Sequence, residues 1–127
     1  MYTELKELVN FLALYLLGIV PRRPASLFIC QLANHLVHRF RGCQWDINNP
    51  KKDEQRRIVR LKVSGFTDQL ITLAATEIGL SAEEILECLP DNIFLYINPG
   101  EVYYRAGEGS PPVPIWTGKA GVDPDLT

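Results

Sequence analysis

Cysteine, histidine and long apolar runs are all scarce in this chain, and each shortage closes a class of function. Only three cysteines occur among 127 residues, Cys30, Cys43 and Cys88. An odd number cannot pair completely and no two stand at a C-x-x-C spacing, which argues against a disulfide scaffold or a structural zinc site. Three thiols in a reducing compartment are the expected state. The longest apolar run, Leu8 to Val20, is thirteen residues with Asn10 inside it. A bilayer-spanning helix needs about 20. That length suits the core of a signal peptide, but Glu4 and Glu7 precede it, and Pro21-Arg22-Arg23 follows without a small-residue cleavage site. The expectation is an intracellular chain with no membrane partner.

Catalytic signatures are missing too. There is no P-loop, no G-x-G-x-x-G and no nucleophile elbow, and Gly107-Glu108-Gly109 is only a turn. His35 and His38 stand three apart, but no cluster of further ligands accompanies them, so no metal site is expected. Cys30 and Cys88 lie in apolar segments and read as small core residues, which leaves Cys43 as the expected exposed thiol. Glu83, Glu84 and Glu87 fit the solvated face of a helix rather than an acid–base pair. No enzyme activity, cofactor or metal is implied.

What is present is one ordinary soluble domain: 46% hydrophobic, 22% charged, net charge −2. Its charge is divided unevenly. Residues 1–62 carry eleven Lys and Arg against five acids, a balance of +6, and residues 63–127 carry two against ten, a balance of −8. Such a division suits a basic surface facing a polyanion, an acidic surface facing a protein, or a self-complementary molecule; the alternative is that the halves interleave and neutralise each other.

Periodicity supplies the elements. Thr3 can cap a first helix running to about Leu17, ended by Gly18 and Pro21. Pro24 suits the first turn of a second helix, where Phe28, Leu32, Leu36 and Phe40 make a core stripe, and Gly42 lies where the chain leaves it. Residues 43–56 read as a polar loop. Val59, Leu61 and Val63 alternate with Arg60 and Lys62 in a half-buried strand over 58–63. A helix over 68–78 and a short one capped by Ser81-Ala82-Glu83-Glu84 follow. Strands at 93–97 and 102–106 flank the turn Asn98-Pro99-Gly100-Glu101, and Val113 to Trp116 adds a short edge strand containing Pro114. Residues 117–127 have no apolar period and read as a flexible C-terminal tail or the stump of a longer one. The predicted class is α+β, with helices packed on a small antiparallel sheet.

The remaining candidate is a binding surface. Lys51, Lys52, Arg57, Arg60 and Lys62, with Trp45 beside them, combine cations and an aromatic plane as single-stranded RNA recognition requires. The alternative is a solvated loop and strand face. Tyr103 and Tyr104 must point to opposite faces, so one is expected in the core and one displayed.

Leu89 to Glu108, LPDNIFLYINPGEVYYRAGE, resembles the second signature box of the BTG/Tob antiproliferative family, LP-x5-W-x-DP-x-EVSYRIGE. Trp45 and Pro50 through Arg57 to Leu61 align with the first box, WFPEKP…GYRCIRI, and PRR at 21–23 before Phe28 is similar as well. The resemblance covers residues 1–116, taken as one BTG/Tob-like domain. It implies a non-catalytic α+β adaptor that brings a Caf-type deadenylase subunit to messenger RNAs, or a coregulator of transcription, with restrained proliferation or altered cell fate as the outcome. The expected location is the cytoplasm, with the nucleus as the alternative that a coregulator of transcription would need.

The chain departs from the boxes where the family binds the deadenylase. Tyr96 stands for the tryptophan, Asn98 for the aspartate, and Arg56 for a tyrosine. The resemblance therefore makes Arg56, Tyr96, Asn98 and Glu101 the protein-binding candidates. Each lost anchor is worth about 1–3 kcal/mol at a hot spot, which puts deadenylase recruitment in question. A divergent nematode branch of the family, which promotes sperm fate in germ cells, is the most similar in character. It implies a germline RNA regulator that assembles as a homo-oligomer.

Overall fold

The helical half follows its apolar stripes. In a computed structural model, which describes residues 1–119, α1 spans Tyr2–Leu14 and α2 spans Arg22–Phe40. Phe28, Leu32, Leu36 and Phe40 are buried along one side of α2, as their spacing predicts. They meet Leu5, Leu8, Val9 and Leu12 of α1 in a single core. Pro24 sits in the first turn of α2 as expected. The first helix is shorter than its apolar run suggests. Met1 rather than Thr3 precedes it, and the amides of Tyr15 and Leu16 turn back onto Leu12 and Ala13, three residues away. Gly18, at φ 77°, takes the left-handed conformation that completes the exit.

Two shorter helices follow, the first packed on α2 and the second on the first. α3 is Gln69–Glu77, capped by the Asp68 carboxylate accepting from Leu70 N, and α4 is Ala82–Cys88, capped by Ser81 Oγ accepting from Glu84 N. Glu83, Glu84 and Glu87 face solvent on α4, as predicted.

β1 (Val59–Leu61), β2 (Ile93–Asn98), β3 (Glu101–Arg105) and β4 (Val113–Thr117) form one antiparallel sheet in the order β1-β2-β3-β4. β2 and β3 fold back at Pro99-Gly100, within the predicted turn. Pro114 lies on the β4 edge, where a missing N–H disrupts no further ladder. β1 stops short of the predicted Val63. Lys62 adopts φ 50°, and Val63 pairs with Phe66 instead, so the chain turns away from the sheet. Val59, Leu61, Leu95, Ile97 and Val102 face the core, and α1 packs across β2, β3 and β4. This is the expected α+β arrangement. Of the predicted tail, 117–127, Thr117 closes β4 and the residues from 120 on lie outside the described region.

The cysteine expectations need correction. Cys30 is exposed, because it lies two residues from Phe28 and so on the opposite side of α2. Cys88 is half-buried rather than in the core. Cys43 is half-buried too, its Sγ set against the carbonyls of Arg39 and Arg56. The two charge halves do interleave at several points: Arg39 with Asp68, Lys62 with Asp91 and Lys51 with Glu101; His35 also meets Glu77. His38 is exposed, apart from that pairing.

Candidate interaction surface

Alternation along β2 sends Ile93, Leu95 and Ile97 to the helices and Phe94, Tyr96 and Asn98 to the outer face. Register about the Pro99-Gly100 turn then fixes their neighbours. Arg60 and Arg105 flank Phe94 across the sheet, Tyr103 stands beside Tyr96, and Glu101 beside Asn98. Phe94, Tyr96, Arg60 and Arg105 are all half-buried. Tyr96 and Tyr103 stack at 4.6 Å between centroids and 3° between planes, with the Arg105 guanidinium 5.6 and 5.8 Å from the two rings.

The predicted polar loop folds over one end of this face. It contains a 3-10 helix, Glu54–Arg57, and its organiser is Arg57. This side chain is completely buried. Nε donates to Ile97 O at 2.7 Å, Nη1 to Gln44 O (2.7 Å) and Lys52 O (3.0 Å), and Nη2 to Pro50 O (3.0 Å) and Asn98 Oδ1 (2.9 Å). Five N–H donors thus meet five acceptors. Trp45 lies against the guanidinium at 5.3 Å. Burial lowers the pKa of Arg57, opposed by Cys43, Asp53 and Glu54, yet an arginine so placed keeps its charge. Asn98 is buried beside it, and its Nδ2 has no partner.

Tyr103 is held from above by the same loop. Its hydroxyl donates to Glu54 Oε1 at 2.8 Å and accepts from Lys51 Nζ at 3.2 Å, and the ammonium also sits 5.0 Å over the ring. Burial, then the Glu54 bond, raises the Tyr103 pKa against the opposing Lys51. Burial lowers that of Lys51, but the Tyr103 bond and the charges of Glu54 and Glu101 outweigh it and the net direction is up. Tyr103 and Tyr104 do face opposite ways, but neither is displayed. Tyr104 stacks on Phe11 of α1, and Tyr103 is covered by the loop.

The predicted residues are thus divided. Arg56 is exposed in the loop, and Tyr96 and Glu101 are half-exposed on the outer face of the sheet. Asn98 is not available for contact, because it is walled in beside Arg57. Arg57 is likewise no phosphate ligand, since all its donors are used inside the protein. Lys51 and Lys52 are exposed and Trp45 is half-buried. Arg60 lies on the sheet face, whereas Lys62 leaves it, bonding Leu89 O at 2.9 Å and Asp91 at 3.3 Å. Phe94 and Arg105 belong to the face and were not singled out from sequence, although counting back from the Pro99-Gly100 turn pairs them. No three-ligand metal cluster and no helix long and apolar enough to cross a membrane occur among the described residues.

Comparison with known proteins places this surface in context. A family model described as "BTG family" matches residues 1–116. Protein Tob2 of Homo sapiens is 33% identical over 108 residues, which cover 85% of this chain and 30% of that protein. Protein BTG1 of Gallus gallus is 32% identical over 110 residues, 85% of this chain and 63% of that protein. The chain therefore spans under a third of the Tob relative's length. Among solved structures, a doubly substituted FOG-3 BTG/Tob domain of C. elegans superposes with a TM-score of 0.85 at 39% identity, covering 94% of this chain and 92% of that one.

Proposed function

The chain belongs to the BTG family, and on that premise we propose that it is a non-catalytic adaptor in messenger-RNA regulation and germline cell fate, acting through the outer face of its sheet. The observation that carries this reading is the Tyr96–Tyr103 stack under Arg105. It is an aromatic and cationic platform in which Tyr96 is half-exposed, Tyr103 lies beneath the Glu54–Arg57 loop, and Glu101 stands next to Asn98 on the same face. Aromatic and arginine side chains anchored in this way are the usual hot spots of protein interfaces. Likeness to a nematode domain supports the germline setting.

The alternative is a conventional Tob-type adaptor for the Caf-type deadenylase, or a transcriptional coregulator. Asn98 is internal, so its replacement of aspartate removes no charge from the contact surface; Tyr96 and Arg56 are the changes a partner meets. Crosslinking of the intact chain to protein and RNA, read by mass spectrometry, is the deciding experiment. Crosslinks centred on Tyr96, Arg105 and Lys51, lost in Tyr96→Ala, are expected. Crosslinks confined to the helical side reject the platform. In a purified pull-down, wild type should hold the Caf-type subunit weakly and the double variant Arg56→Tyr, Tyr96→Trp more tightly; tight binding by wild type favours the alternative.

RNA contact by Lys51, Lys52 and Arg60, with Trp45 as the stacking plane, is the second element of the proposal. It requires affinity that falls steeply with salt and drops on charge reversal at Lys51 and Lys52. Homo-oligomer assembly requires sedimenting mass that rises with concentration.

A further inference from the structure

The surface changes character where α1 hands over to α2. Leu14, Leu17 and Ile19 are 62, 71 and 68% exposed, the three most exposed large apolar side chains among the described residues. Scattered single leucines are ordinary on a protein surface, but Leu17 and Ile19 both line one concavity. A groove of about 970 Å³ runs between the two helices, lined by half-buried Ala13, Val20, Ala25 and Ile29 and by exposed Leu17 and Ile19. That is at the upper end of the roughly 300–1,000 Å³ of clefts that enclose a ligand.

The rim has one sign of charge. No acidic side chain lines the groove, and Arg22 does, with Arg23 next to it. Both arginines are exposed and neither has an ion pair among the described residues. They also occupy the first turn of α2, which contains no acid and has no side-chain cap. A helix N-terminus already carries positive partial charge, so two guanidiniums there are repelled by it. Among the described residues no acidic side chain offsets that repulsion. A carboxylate brought from outside does.

We propose that this corner is a docking groove for an acidic amphipathic helix of a partner protein. Its apolar anchors lie between α1 and α2, in the i, i+3, i+4, i+7 pattern of helix-in-groove recognition, and its carboxylates meet Arg22 and Arg23. The concave shape fits a cylinder rather than a lipid surface. Direction is set as well. Beyond the Ile19–Pro21 ridge a smaller groove of about 370 Å³ is lined by Glu84 and Glu87, which repel the acidic flank from that side.

The test uses the full chain and a display library of helical peptides with leucine at the four anchor positions and Glu, Gln or Lys beside them. Glu-flanked peptides should be selected. Leu17→Ser should weaken the best of them roughly tenfold, and Arg22→Glu with Arg23→Glu should transfer preference to Lys-flanked peptides. Tyr96→Ala should leave this binding unchanged, which separates the groove from the sheet face. Selection of no peptide, equal selection of Glu and Lys flanks, or binding indifferent to Leu17→Ser overturns the proposal. So does capture by phosphatidylglycerol vesicles that Leu17→Ser abolishes, which would make the corner a membrane contact. Self-association dispersed by Leu17→Ser, with no peptide selected, would make it a contact between copies.

Discussion

The outer sheet face, partly roofed by the loop, and the open α1–α2 corner are held in opposite ways. At the sheet face the key polar groups are tied inward: Arg57 serves five acceptors, Tyr103 bridges Lys51 and Glu54, and Arg105 donates to Ser110 O while lying over two rings. At the corner Arg22 and Arg23 have no ion pair among the described residues and Leu14 and Leu17 stand exposed. Rigid polar construction costs stability when disturbed; an unpartnered apolar surface costs almost none. Neighbouring Arg56 and Arg57 show the contrast within two residues, the first exposed and the second inaccessible.

The strongest way to break this comparison is Arg57→Ala. The substitution strands Ile97, Gln44, Lys52 and Pro50 carbonyls and the Asn98 side chain at one stroke. A loss of about 3–5 kcal/mol is expected in urea unfolding, as for other buried charge networks deprived of one member. Arg57→Lys should recover only part of it, because three donors on a point-like ammonium cannot satisfy five dispersed acceptors. A loss under about 1 kcal/mol for Arg57→Ala would mean that the loop is not held as the hydrogen bonds indicate.

That central role could not be read from the sequence, and the reason is physical. Arg57 lies in a run with no helical or strand period, and two of its acceptors, Ile97 and Asn98, come from forty residues further on. Charge in a polar loop defaults to solvent unless such distant carbonyls converge on it. The α2 stripe was legible because a single local period sets it, and the β2–β3 pairing because Pro99-Gly100 sets the register. Cys30 was misplaced for a related reason: an apolar neighbourhood in sequence says less than angular position on the helix. Lys62 followed strand alternation on paper, but its positive φ ends β1 before that alternation applies.

Asn98 offers a gain instead of a loss. Its Oδ1 accepts from Arg57 while its buried Nδ2 has no partner. Asn98→Asp replaces the idle donor with an acceptor and gives the guanidinium a counter-charge. Stability at pH 7 should rise by about 1–2 kcal/mol. Because Arg57 depresses the folded pKa of the new carboxyl, the gain should be present above about pH 4 and vanish as pH falls through that lower value. A net loss at pH 7 would show that desolvation of the carboxylate outweighs its pairing.

Tyr103→Phe probes the loop over the stack more gently. Removing the hydroxyl forfeits its bond to Glu54 for about 1 kcal/mol at neutral pH. Tyr103 and Lys51 both have raised pKa values in the fold, so the folded state holds their protons more tightly than the unfolded chain does. Their contribution is complete below the ordinary values of 10.0 and 10.5 and is lost as pH rises through the folded ones. The variant should therefore lose less stability than wild type between neutral pH and the alkaline limb. Identical alkaline slopes would remove Tyr103 and Lys51 from the account.

The smallest expected effect belongs to the corner. Leu17 is 71% exposed and contributes little to the core, so Leu17→Ser should lower the unfolding free energy measured in urea by no more than about 0.5 kcal/mol. Leu16, its neighbour, is fully buried, and Leu16→Ser should cost several times as much, on the order of 2–5 kcal/mol, through the cavity it leaves and the hydroxyl it buries. The pair therefore separates surface from core one residue apart within the apolar run Leu8 to Val20. If Leu17→Ser unfolds the chain as readily as Leu16→Ser, the corner is part of the core's support, and the contrast with the sheet face fails.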